Sequence, residues 1–178
     1  MRTITLDGGS LGWDGLRALA RDEFPRGLRL RLSPRALARV GKSRRFVDRA
    51  LADGAVIYGV STGFGRLSDI RIPSGDLDRL QQNLLLSHAA GMGAPMRETG
   101  LLVALRANAL LLGYSGVTPD LVRYLAEFYN RGLRPLILEQ GSVGASGDLA
   151  PLAQLGAVFL GLGRASLGAR SYSARAAL

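Results

Sequence analysis

Residues 141 to 153 read Gly-Ser-Val-Gly-Ala-Ser-Gly-Asp-Leu-Ala-Pro-Leu-Ala, a run of small side chains that opens into an apolar stretch. Glycine weakens regular elements and reaches backbone angles closed to other residues, so this run is built to fold back sharply. The stretch from Leu149 onward carries almost no polar residue. As a helix it has to be buried. Its amino end then points at the small-residue run, where the helix dipole favours negative charge, and Asp148 stands where a helix start favours a carboxylate. The rest of the chain makes sense as support for a tight loop held at the head of an internal helix.

The centre of that loop is Ala145-Ser146-Gly147. One reading is a glycine-rich turn ahead of a helix. Another is self-cyclisation. The amide nitrogen of Gly147 attacks the carbonyl carbon of Ala145 and closes a five-membered ring, an approach that a side chain at 147 would hinder. Loss of water, with dehydration of Ser146, leaves an exocyclic methylidene. That is a strong electrophile, of a kind that no standard side chain supplies.

Composition narrows the setting. A hydrophobic content of 47% in 178 residues fits one globular domain rather than a disordered chain. There is no cysteine and His88 is the only histidine, which argues against a disulfide frame and against a Cys- or His-based metal site. The amino terminus shows no apolar leader core. The longest apolar run, from Leu149 to Leu162, is broken by Pro151, Gln154, Gly156 and Gly161. The expectation is a soluble cytoplasmic protein that binds no membrane. The net charge of +9 is almost all arginine, scattered and without an aromatic platform. That pattern fits a GC-rich codon surface better than a nucleic-acid site and leaves an acidic protein partner open.

Local patterns place the elements. Thr3 to Leu6 alternates as a strand does, and so do Leu28, Leu30 and Leu32 against Arg29 and Arg31. Leu16, Leu19, Ala20 and Phe24 fit a short helix between them. Ser33-Pro34 opens a helix that Gly54 ends. Ser74 and Asp76 can cap a helix running to about Gly91, with Leu77, Leu80, Leu84 and His88 on one face. Residues 96 to 113 form an apolar helix, and Thr118-Pro119 opens another that Gly132 stops. Gly161 to Leu178 reads as loop with a helical start at its end. Taken alone, Tyr58 reads as a strand tyrosine packed by its ring, and His88 as a lone histidine satisfied at a helix end.

Three stretches together resemble the histidine and aromatic amino-acid ammonia-lyase family, whose prosthetic group is 4-methylidene-imidazol-5-one (MIO). They are the run 141–153, Tyr58-Gly59-Val60-Ser61-Thr62-Gly63-Phe64-Gly65, and Gln81-Gln82-Asn83-Leu84-Leu85-Leu86-Ser87-His88-Ala89-Ala90-Gly91. Arg106-Ala107-Asn108-Ala109-Leu110 is also similar to the family, as a structural element near the site. The resemblance implies that Ala145, Ser146 and Gly147 are the catalytic precursor of the MIO group and that Asp148 assists its maturation. It implies Tyr58 as the catalytic base. A phenol is a weak base at neutral pH, so that role calls for positive potential nearby, such as a helix N-terminus. Ser87-His88 is the histidine-lyase form of its motif, and His88 would bind the substrate imidazole. Serine at 61 departs from the asparagine common in histidine lyases. Gln154 stands where histidine is frequent, and no functional weight is attached to it.

The implied fold is mainly α with a few short N-terminal strands, the N-terminal part of an ammonia-lyase-like (aspartase/fumarase-like) helical fold. Residues 1–178 would form a single N-terminal lyase-like domain. About 1–115 would be a globular region with the Tyr and Ser-His motifs, and 116–178 a helix, the MIO loop and the buried helix after it. The family's C-terminal helical domain has no counterpart here. The chain is then a subunit of a split lyase, a fragment, or a non-catalytic scaffold protein. The implied function is ammonia elimination from an L-amino acid, histidine first, within an oligomer. It needs no metal, and a complementary C-terminal-half chain would complete the site. The isolated chain is expected to be inactive. An aminomutase using the same electrophile is the rival enzyme.

Overall fold

The computed structural model describes residues 2–21, 27–63, 65, 70, 72–141 and 149–178. Alternation of leucine or isoleucine with polar residues produces two strands, β1 (Arg2–Leu6) and β2 (Leu28–Leu32). They pair in parallel, from Arg2 opposite Leu28 to Leu6 opposite Leu32. Parallel neighbours need a crossover, and α1 (Trp13–Ala20) lies within it. Ile4, Leu6 and Leu30 point inward and are buried.

Ser33 caps α2 (Pro34–Ala52), its hydroxyl accepting from the Ala36 amide at 3.4 Å, with proline in the first turn. A 3-10 turn, Ser74–Asp76, leads into α3 (Leu77–His88). Asp76 does stand at the cap, but in a helical conformation (φ −103°, ψ −3°) that leaves its carboxylate without a capping hydrogen bond. Then come β3 (Met92–Pro95), α4 (Thr99–Leu110) and α5 (Pro119–Asn130), the last capped by Thr118. Short strands β4 (Leu133–Pro135) and β5 (Leu138–Gln140) precede α6 (Leu149–Phe159).

The main core gathers Leu6, Val40, Val103, Leu110, Val122, Tyr129, Ile137 and Leu155. Helix α4 is its axis, packed on α1 and α5. Asn130, at the end of α5, closes the free side of β2. Its Oδ1 accepts from the Leu30 amide at 2.7 Å and its Nδ2 donates to the Leu30 carbonyl at 3.0 Å. One side chain thus satisfies both backbone groups of an edge residue, which would otherwise stay unpaired.

Two stretches depart from expectation. The helical start expected at the end of the chain is present, but the residues before it are not simply loop. Residues from Gly161 onward form β6 (Arg164–Leu167), β7 (Arg170–Ser173) and α7 (Ala174–Ala177), and β6 also pairs with β4 in a three-stranded antiparallel sheet. The inward position of β6 is filled by Ala165, which is fully buried opposite Tyr172. So small a residue gives almost no apolar alternation to read. Helix α6, in turn, is only partly buried. Ala153, Leu155 and Val158 are inside, but Leu149 is 53% and Leu152 37% exposed. Among the described residues no helix is long and apolar enough to cross a membrane.

Candidate active site

His88 is the last residue of α3. The Leu84 carbonyl is satisfied twice, by the Ser87 hydroxyl at 2.9 Å and by His88 Nδ1 at 2.8 Å. A carbonyl oxygen can only accept, so Nδ1 carries the proton. In its neutral form such a ring presents Nε2 as an acceptor. The Ser87 hydroxyl lies 3.0 Å from Nδ1 and holds the ring from the side. The Ser-His pair therefore works as one unit that fixes a tautomer.

Helix α3 packs against α6, and a cleft of about 400 Å³ opens beside that contact. His88, Gln81, Leu84 and Leu85 line it from α3, Arg106 from α4, and Leu149, Leu152 and Ala153 from α6. Most of its wall is apolar, which strengthens any charge interaction made inside it.

Tyr58 sits in a hydrogen-bonded turn rather than a strand, and the residue is 62% exposed. The amides of Val60 and Ser61 both donate to the Ile57 carbonyl. Ser61 Oγ accepts from the Ile57 amide at 2.9 Å, and Thr62 Oγ1 accepts from the Gly59 amide at 3.2 Å. Gly59 has φ +71°, a conformation that side-chain-bearing residues avoid. Both hydroxyl residues are buried. Serine at 61 thus serves the structure, because its hydroxyl ties the turn to itself.

Gln81 joins the two halves of the site. It lines the cleft beside His88, and its Nε2 donates to the Gly59 carbonyl at 3.3 Å. The turn carrying Tyr58 is thereby tethered to the helix carrying His88. Ala145, Ser146, Gly147 and Asp148 lie outside the described residues. The described residues on either side of them are Gly141 and Leu149, and Leu149 is part of the cleft wall.

Below the cleft the packing is tight. Gln154, 8% exposed, accepts from the Leu138 amide at 2.9 Å and ties α6 to β5. Its Nε2 finds no partner among the described residues. A Cβ on Gly91 would lie 2.5 Å from that Nε2 and 3.1 Å from Leu138 Cβ. Gly91→Ala is therefore expected to destabilise the fold by about 1–3 kcal/mol, as overpacking does, and a lowered midpoint in urea denaturation would register it. Residue types alone do not mark Gln81 and Gln154 as functional. Each acts through one hydrogen bond to a distant backbone group, which leaves no local pattern.

A profile of the aromatic amino acid lyases matches residues 11–178. The chain belongs to the aromatic amino acid lyase family. It is 49% identical over 169 residues to the histidine ammonia-lyase of Anaeromyxobacter dehalogenans, a match covering 94% of this chain and 32% of that protein. The fold superposes on the histidine ammonia-lyase of Trypanosoma cruzi with a TM-score of 0.86 at 36% identity, covering 99% of this chain and 33% of that one. It superposes on the ergothioneine-degrading ergothionase of Treponema denticola with a TM-score of 0.90 at 25% identity, covering 98% of this chain and 35% of that one. The chain spans about a third of the length of the relatives it matches. The expected mainly helical, ammonia-lyase-like fold is thus the observed one, and this lyase-family chain corresponds to the N-terminal portion of those enzymes.

Proposed function

We propose that this chain is the N-terminal part of an MIO-dependent lyase that eliminates ammonia from an L-amino acid, histidine first, with a second chain completing the site. One observation carries the reading. A single cleft joins His88, with its tautomer set by Leu84, to Leu149, the first described residue after the Ala145-Ser146-Gly147 triplet. The approach to the triplet is tight, which supports the reading. A Cβ on Gly141 would lie 2.9 Å from the Ala90 carbonyl oxygen and 3.0 Å from Ala150 Cβ. The chain therefore enters the triplet segment through a passage only glycine can take, beside the end of α3.

Once formed, the group would supply an electrophilic carbon that turns the substrate amine into a better leaving group. The chain's own residues do the rest. His88 Nε2 accepts the ring N–H of an imidazole and orients it. Tyr58 receives the β-proton on its phenolic oxygen, with Gln81 holding its turn in place. The leucines of the cleft exclude water, and α6 directs its N-terminus toward developing negative charge. Asp148 assists ring closure.

Purified alone, the chain is expected to show no growth of urocanate absorbance with histidine. With the partner chain, turnover should appear. Activity of the lone chain would show the second chain to be dispensable, and a β-amino acid in place of the unsaturated acid would make the protein an aminomutase. In the reconstituted enzyme, His88→Ala should raise KM for histidine by about 10- to 100-fold, the scale of a lost specificity contact. An unchanged KM would remove His88 from substrate binding.

A further inference from the structure

Helix α2 carries six cations against one acid, Asp48, which Arg44 holds at 2.6 Å. Such an excess draws anions toward the helix. Arg39, Lys42, Ser43 and Phe46 stand at i, i+3, i+4 and i+7 and so share one face. The turn after α4 lies against that face. Its Leu112, Gly113 and Tyr114 complete with those four residues a pocket of about 540 Å³.

The turn is clamped to α2 at three points. Arg39 Nη2 donates to the Leu111 carbonyl at 3.1 Å, and the Gly116 amide donates to Ser43 Oγ at 3.2 Å. Gly113, with φ +79°, comes so near that a Cβ on it would lie 3.1 Å from Arg39 Cβ. Arg39 Nη2 also donates to the Asp7 carbonyl at 2.6 Å. The walls are thus fixed before anything binds, which lowers the cost of binding.

The polar end of the pocket has donors to spare. Arg39 Nε and Nη1, the Lys42 ammonium and the hydroxyl hydrogen of Ser43 have no partner among the described residues. No acid lines the pocket. The Asp7 carboxylate, within electrostatic reach of Arg39, accepts instead from the amides of Gly9 and Ser10 at 2.9 and 2.7 Å and makes no ion pair with Arg39. The other end is aromatic. Phe46 is 66% and Tyr114 88% exposed. Two large aromatic side chains left in water at one pocket favour a flat apolar partner. Along the helix axis Phe46 stands about 6 Å beyond Lys42 and about 10 Å beyond Arg39.

We propose that this pocket binds a nucleoside phosphate. Arg39, Lys42 and Ser43 take the phosphate oxygens, and Phe46 and Tyr114 take the base. Two cations and a hydroxyl suit the charge of a phosphate better than that of a single carboxylate. Aromatic side chains stack on any base, so the pocket reads the class of ligand rather than one base. The arginine-rich sequence shows no aromatic platform because Phe46 and Tyr114 lie far apart along it, and folding sets both beside the cations. The pocket shares no lining residue with the cleft beside His88, so the proposal stands apart from the lyase reading.

The test is calorimetric titration of the chain with ADP, adenosine, inorganic phosphate and a short oligothymidylate. ADP is expected to bind with a Kd on the order of 10–100 μM, at least about 10-fold tighter than adenosine or phosphate alone. Tyr114→Leu should weaken ADP about 5-fold or more and leave phosphate unchanged, whereas Lys42→Gln should weaken both about 10-fold. Both positions are exposed, so each variant should unfold at the wild-type temperature. Lys42 is also the only lysine. In the unaltered chain ADP should slow its acetylation by acetic anhydride, read by peptide mass spectrometry, and leave the terminal amine unaffected. Phosphate binding as tightly as ADP would overturn the proposal, as would the absence of saturable ADP binding. ADP binding that ignores both substitutions and leaves Lys42 unprotected would place the site elsewhere and overturn it too. Oligothymidylate binding far tighter than ADP would give the pocket to a single strand and overturn the free nucleotide.

Discussion

Ser146→Ala is expected to abolish ammonia elimination in the assembled protein, lowering kcat by about 10³-fold or more, or roughly 4 kcal/mol of barrier. Nothing else in the proposed site can replace an electrophilic carbon, because the remaining groups there are a phenol, an imidazole, a hydroxyl, amides, a guanidinium, a carboxylate and hydrocarbon. The second readout is mass. Ring closure with dehydration of the serine removes two waters, about 36 Da, so the unaltered chain in its complex should be lighter than its encoded mass by that amount. The alanine chain has no hydroxyl to lose and should not show the full change. A full-mass chain in a complex that still deaminates histidine would end the MIO reading. A full-mass chain in an inactive complex would point to the scaffold alternative.

Tyr58→Phe should separate chemistry from maturation. A positioned base contributes about 10²- to 10⁴-fold, so kcat should fall within that range while the loss of mass and KM stay near the values of the unaltered enzyme. The phenol is well placed to be read this way. Ser61, Thr62 and Gln81 hold its turn through the backbone groups of Ile57 and Gly59. If the substitution instead prevents the mass change, Tyr58 acts in forming the group rather than in using it. If kcat is unchanged, the base is elsewhere.

Much of the fold is legible in local signals. Ser33-Pro34 and Thr118-Pro119 mark helix starts because a hydroxyl acceptor followed by a residue without an N–H meets the needs of a first turn. The alternation of leucine with arginine from Leu28 to Leu32 marks a strand because its side chains face opposite ways. Where the inward residue is small, as at Ala165, that signal fails, and strands β6 and β7 leave no pattern to read. The end of α3 is hard to place for a related reason. The sequence stays compatible with helix as far as Gly91, but the helical backbone bonds stop at Ala89, whose amide donates to the Leu85 carbonyl.

By itself the sequence determined the chemical inventory: an Ala-Ser-Gly triplet, a tyrosine in a glycine-rich stretch, and a serine-histidine pair further on. These are covalent facts, and spacing along the chain preserves them. Only the tertiary structure decided how the inventory is assembled. Gln81 reaches 22 residues back to the Gly59 carbonyl, Gln154 reaches 16 back to the Leu138 amide, and the approach of α4 to α6 sets Arg106 among leucines, with no acid paired to it among the described residues. Each outcome depends on which surfaces meet, and a side chain's partner across the fold leaves no trace in its neighbours along the chain.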